Sequence, residues 1–93
     1  MEKRDYRFRI QVLGKVQGVW FRKSTQDVAK KHRLCGWVKN MEDGSVMMEV
    51  EGQLSDCLEM IEWAEEGPVM AEVSELKIEQ IHAIQDEYFT IGY

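Results

Sequence analysis

The densest chemical signal in the chain is Gly14-Lys15-Val16-Gln17-Gly18-Val19-Trp20, which runs directly into a helical pattern beginning at Phe21. Glycines let a backbone curl inward and aim successive N–H groups at one point. A helix that starts immediately afterwards adds its own unpaired N–H groups and a partial positive charge. Together these make a cradle for a tetrahedral anion. Arg22 falls in the first turn, where its planar fork can take two phosphate oxygens. A cation there opposes the helix dipole, and local conflicts of this kind mark functional positions. Taken alone, Arg22 would read as a surface charge.

Asn40 closes the strand pattern Gly36-Trp37-Val38-Lys39-Asn40. Its carboxamide can accept from a water and donate to a developing oxyanion. An Asn shortly before the turn dipeptide Asp43-Gly44 is also ordinary turn chemistry. A guanidinium and a carboxamide keep fixed charge states across the neutral range, and no Ser, Cys or His is placed beside them as a nucleophile. Such a pair cannot do strong acid–base work. It can position reactants and stabilise charge, which is most of what phosphoryl transfer requires. The matching substrate has a leaving group that needs no proton. An acyl phosphate qualifies, because its carboxylate has a conjugate acid of pKa about 4. A phosphate ester of an alcohol would need a general acid that this pair lacks.

These residues need elements to bring them together. Tyr6, Phe8, Ile10 and Val12 alternate with Arg7, Arg9 and Gln11, the pattern of a half-buried strand. Phe21, Thr25, Val28, Ala29 and His32 trace one stripe of a helix from about Phe21 to Arg33. Residues 36–40 form a short strand, Asp43-Gly44 a hairpin turn, and Val46, Met48 and Val50 the returning strand. Leu54, Cys57, Leu58, Ile61 and Ala64 trace a second helix, stopped by Gly67-Pro68. Val73 to Ile81 is a fourth strand and Tyr88 to Tyr93 a short fifth. The order β-α-β-β-α-β plus a final strand is a ferredoxin-like α+β plan: an antiparallel sheet with two helices on one face. A right-handed crossover makes the first two strands parallel, so the loop at 14–20 and Asn40 meet at one end. Cys35 and Cys57 share the opposite end. A disulfide between them is sterically conceivable, and free thiols are the favoured reading.

Ninety-three residues suit one domain, 1–93. No apolar run reaches membrane-spanning length, and the charged opening Met1-Glu2-Lys3-Arg4-Asp5 is unlike a signal peptide, so a cytoplasmic monomer is expected. The net charge of −5 conceals a split: residues 1–40 carry eleven Lys/Arg against three Asp/Glu, and residues 41–93 one Lys against fourteen Asp/Glu. An anion site therefore draws its charge from the first half, with Lys15, Lys23 and Lys39 as further contributors, and the acidic half is expected to be mostly solvated surface. The overall balance disfavours nucleic acid. No cysteine or histidine spacing suggests a metal.

The run from Gly14 through Arg22, followed by Gly36-Trp37-Val38-Lys39-Asn40, Asp43-Gly44-Ser45-Val46, Gly52 and the C-terminal Tyr88-Phe89-Thr90-Ile91-Gly92-Tyr93, strongly resembles the acylphosphatase family over nearly the whole chain. The resemblance implies hydrolysis of acyl phosphates to carboxylate and inorganic phosphate, without metal or cofactor. It implies that Arg22 binds the phosphate, that Asn40 orients the attacking water, and that amides from Gln17 to Phe21 complete the cradle. Two positions depart from the family pattern. Trp20 is bulkier than the usual neighbour of the arginine, and Met41 replaces a commonly polar neighbour of the asparagine. They motivate a rival reading, a phosphate-binding module without turnover. An RNA-binding domain on the same plan ranks low, because residues 45–51 offer two carboxylates and no aromatic.

Overall fold

The computed structural model describes residues 6–92. The charged segment 1–5 and Tyr93, the last residue of the expected final strand, lie outside the described residues. The chain runs β1 (Tyr6–Lys15), α1 (Phe21–Lys31), β2 (Cys35–Asn40), β3 (Val46–Gly52), α2 (Leu54–Glu66), β4 (Glu72–Ile81) and β5 (Phe89–Ile91). This is the expected ferredoxin-like α+β plan, with element ends moved by one or two residues. The strands form one sheet in the order β4-β1-β3-β2-β5. β5 joins parallel to β2 while every other pairing is antiparallel, so the sheet is mixed. β3 lies between β1 and β2 and opposes both. The two therefore point the same way, and the loop after β1 meets the end of β2.

Residues directly opposite in antiparallel strands share a face. Ile10 stands against Met48 and Val12 against Val46, while Val38 stands against Met48 from the other side. These side chains are fully buried beneath the two helices. α1 contributes Phe21, Thr25 and Ala29. Each large apolar side chain removed from water here contributes about 1.5–3 kcal/mol.

α2 corrects one expectation. Its buried residues are Cys57, Met60 and Ala64, while Leu54 and Leu58 are 38% and 51% exposed. The helix is apolar at 54, 57, 58, 60, 61, 63 and 64, which fits two rotations about its axis. Packing against β1, β3 and β4 selects the one that turns Met60 inward and Leu58 out.

The other face of the sheet departs further from the pattern. Alternation placed Arg7 on solvent, yet it is 1% exposed. Its Nε donates to Glu49 at 2.9 Å and its Nη1 to Glu51 at 3.1 Å and Asp86 at 3.4 Å. Glu51 also accepts the Ile84 N–H at 2.8 Å and the Asp86 N–H at 3.1 Å. The segment between β4 and β5 is thus tied across this face and covers it. Burial pushes the Arg7 guanidinium down, but the bonded Glu49 and Glu51 outweigh that and hold it above its ordinary value. Glu49 and Glu51 belong to the scaffold rather than to a solvated acidic surface.

Cys35 and Cys57 are both buried, and no disulfide joins them. Cys35 stands opposite Glu51 in the sheet, in line with Trp37, on the face away from the helices. Cys57 lies on α2 against the other face, its thiol 3.9 Å from the Tyr6 carbonyl. The two share an end of the fold, but the sheet lies between them. Burial is the main cause that pushes the Cys57 thiol up to about 11.

Candidate active site

Near its end β1 carries a bulge between Leu13 and Gly14, where pairing to β4 slips by one residue. Gly14 takes φ +127°, and a Cβ there would run into the Glu72 carbonyl. The slip and the missing side chain let the backbone leave the sheet and turn over its end. Gly18 then takes φ +74° in open space, a conformation that suits glycine whatever the room around it. Trp20, the residue before α1, takes the left-handed values φ 66° and ψ 21°, and its side chain caps nothing.

The result is a loop with its donors unspent. Among the described residues, nothing accepts a hydrogen bond from the backbone N–H groups of Gln17, Gly18, Val19, Trp20 or Phe21. The first turn of α1 holds no acidic residue to answer its N–H groups. That assembly carries partial positive charge, as a helix N-terminus does.

The loop is fixed through one side chain. Gln17 donates from Nε2 to the carbonyls of Met41 and Ser45, both at 2.8 Å. Those two residues close the β2–β3 turn, since the Met41 N–H donates to the Ser45 carbonyl at 2.8 Å. The turn is itself braced: the Asp43 carboxylate accepts the Ser45 hydroxyl at 2.6 Å and the Ser45 N–H at 2.9 Å. These bonds hold the Asp43 carboxyl below its ordinary range. Met41, flagged for its side chain, works here through its backbone.

Asn40 pairs with Val46 and falls in line with Gly36 and Val38, so it is the polar end of the row that faces the helices. Arg22 donates from Nη1 to the Gly92 carbonyl at 3.1 Å. One turn further on, Gln26 donates to the Phe89 carbonyl at 3.3 Å. α1 is thereby clamped along β5.

An open cavity of about 380 Å³ lies where these parts meet, lined by Val16, Gly18, Trp20, Phe21, Arg22, Lys23, Asn40 and Ile91. Arg22 and Asn40, eighteen positions apart in sequence, line the same space. Gly18, Trp20 and Phe21 line it as well. Val19 does not, since its side chain packs in the core at 7% exposed. The Gln17 side chain reaches the hairpin instead of the cavity. Of the three lysines expected near the site, Lys23 lines it, with its ammonium 3.2 Å from Asp27. Lys39 sits over the Trp37 ring at 5.6 Å, outside the cavity lining. Thr25 is buried in the helix stripe and bonds the Phe21 carbonyl at 2.8 Å. His32, at the C-terminal end of α1, sits 3.6 Å from Asp56 and away from the cavity.

Two contributors were not legible beforehand. Ile91 enters the lining because β5 docks beside β2, a tertiary event with no local signature. The Gln17 carboxamide spans to residues 41 and 45, and only a known loop conformation would reveal that reach.

Fold and cavity together define a small ferredoxin-like α+β domain with an open, donor-lined cavity at one end of its sheet. The acylphosphatase family model matches residues 8–91. An acylphosphatase of Marinobacter nauticus is 40% identical over 80 residues, covering 86% of this chain and 87% of that protein. The acylphosphatase structure from Coxiella burnetii superposes with a TM-score of 0.92 at 33% identity, over 99% of this chain and 98% of the other. That from Bacillus subtilis gives 0.90 at 34% identity, over 95% and 99%. The chain belongs to the acylphosphatase family. It is a hydrolase that cleaves the carboxyl–phosphate bond of small acyl phosphates to carboxylate and inorganic phosphate.

Proposed function

We propose that this chain performs that hydrolysis without a metal, gripping the phosphate with the amides of Gln17 to Phe21 and the Arg22 guanidinium while Asn40 holds the attacking water. The observation that carries the reading is the shared cavity: Gly18, Trp20 and Phe21 of the loop with unspent amides, Arg22 and Asn40 all border it. The amides and guanidinium answer the charge that builds on the phosphoryl oxygens, and they are fixed before substrate arrives, so little reorganisation is needed. Asn40 faces the cavity from the strand opposite the loop, where its carboxamide oxygen can accept from a water in line with the leaving carboxylate. The substrate's own phosphate is the acceptor for that water's proton. The leaving carboxylate departs without protonation, which suits a site whose side chains do not exchange protons. We further propose that residues 1–93 act as a single-domain cytoplasmic monomer. The buried, unbridged thiols and one continuous core support this.

The test is hydrolysis of acetyl phosphate with chelator present, beside an alkyl phosphate ester as control. Turnover of the first and not the second is expected. Asn40→Ala should lower kcat by about 10²–10³-fold, the range for removing one transition-state donor, with phosphate affinity little changed. Full activity in Asn40→Ala, or activity that vanishes with chelator, would overturn the reading.

A further inference from the structure

The geometry points to Trp20 as the residue that selects the acyl group, favouring acyl phosphates with an aromatic or extended apolar acyl chain. This rests on the reading of the cavity as the acyl phosphate site.

Trp20 breaks two local rules. Its indole is 78% exposed, the position of a large apolar side chain that the core does not use. Its backbone is left-handed at φ 66°, a conformation that disfavours bulky residues. Among the described residues, no side-chain hydrogen bond or ring contact repays either departure. The side chain makes no cap bond to α1. The ring contact found among the described residues joins Phe21 to Trp63 and leaves Trp20 out. Trp20 does border the cavity.

The cavity has two kinds of wall. Gly18, Arg22 and Asn40 supply polar groups, and Trp20 and Ile91 supply apolar surface. An acyl phosphate has the same division. With its phosphate on the polar wall, the acyl group has the apolar wall left to it. Space is not limiting, since about 380 Å³ lies within the range of small-molecule sites and well beyond one phosphate. An aromatic acyl group laid on the indole gains both area burial and ring–ring attraction, and a methyl group gains little of either.

Propanoyl phosphate and 3-phenylpropanoyl phosphate test this, because their leaving carboxylates have nearly the same basicity. The readout is the ratio of kcat/KM for the phenyl substrate to that for the plain one. In the unaltered protein the ratio should be about tenfold in favour of the phenyl substrate. Trp20→Ala should bring it close to one, and Trp20→Phe should restore most of it. Benzylphosphonate should likewise inhibit more strongly than methylphosphonate, with the difference lost in Trp20→Ala. A ratio near one in the unaltered protein, or one that survives Trp20→Ala within twofold, overturns the role of Trp20 and leaves the proposed hydrolysis standing. Failure to hydrolyse either substrate would instead bring down the proposed hydrolysis and this inference with it.

Discussion

Arg7 and Arg22 occupy opposite ends and opposite faces of one sheet, and the fold treats them differently. Arg7 is enclosed, with Glu49, Glu51 and Asp86 in contact with its guanidinium. Arg22 borders an open cavity, and its Nη1 is held by the Gly92 carbonyl. The first arginine is matched to anions that the chain carries. The second lines a cavity that an anion from outside can enter. Charge alone does not separate the two roles. What separates them is whether the neighbouring elements close over the arginine, as the segment between β4 and β5 does over Arg7, or leave it at the edge of an open cavity, as the loop 14–20 does beside Arg22.

The sharpest way to break this contrast is to remove each arginine in turn. Arg22→Ala should lower kcat/KM for acyl phosphates by about 10²–10³-fold, the cost of one transition-state donor. Its urea unfolding midpoint should barely move. Arg7→Met should do the reverse, lowering stability by about 3–5 kcal/mol because Glu51 is left buried without its cation and Glu49 keeps only Arg9, 3.0 Å away. Molecules that remain folded should keep their turnover. A small domain has about 5–15 kcal/mol in all, so this second loss brings it near unfolding. If Arg7→Met lost turnover while unfolding normally, the division of roles would be wrong.

A smaller effect is expected where scaffold and site touch. Gln17→Met keeps the length of the side chain but removes both bonds to the β2–β3 turn. The loop and Asn40 would then lose their fixed spacing, and misplacement acts on the chemical step. We expect kcat to fall about tenfold with KM moved less, read from steady-state kinetics. A rise in KM alone would mean that Gln17 serves phosphate affinity and not the position of the water.

The smallest effect belongs to the scaffold end. With its thiol raised to about 11, Cys57 stays protonated in the fold where an unfolded chain has begun to ionise, from about its ordinary value of 9.0. The unfolded state therefore gains over that interval, so the thiol's contribution to stability is whole below pH 9 and fades as pH rises towards 11. Urea midpoints taken across that range should fall less steeply in Cys57→Ala than in the unaltered chain. Iodoacetamide should also label native Cys57 slowly at pH 8.

Much of this was open to reading from residue order. Alternation in residues 6–12 and 46–50, the glycines around Val16-Gln17 and the Asp43-Gly44 turn report on backbone geometry that neighbours in sequence largely determine. Topology then brought Arg22 and Asn40 to one end. Arg7 was misplaced for a physical reason. Strand alternation says which residues share a face, but not whether that face is covered. Its cover, residues 82–88, contains no helix or strand and shows no periodicity of its own. The inward turn of Met60 was hidden in a similar way, because α2 carries apolar residues at enough positions to satisfy two rotations. In both cases the deciding contacts join residues far apart in the chain.

The clamp on Arg22 ties the fate of that side chain to the outermost strand. β5 has three residues, pairs on one side only, and meets β2 across a long sequence separation. Such edges open locally at lower free energy than the sheet interior, and non-local pairings of this kind close late in folding. If Arg22 grips the phosphate as proposed, local opening of β5 releases that grip while the interior of the sheet is still intact.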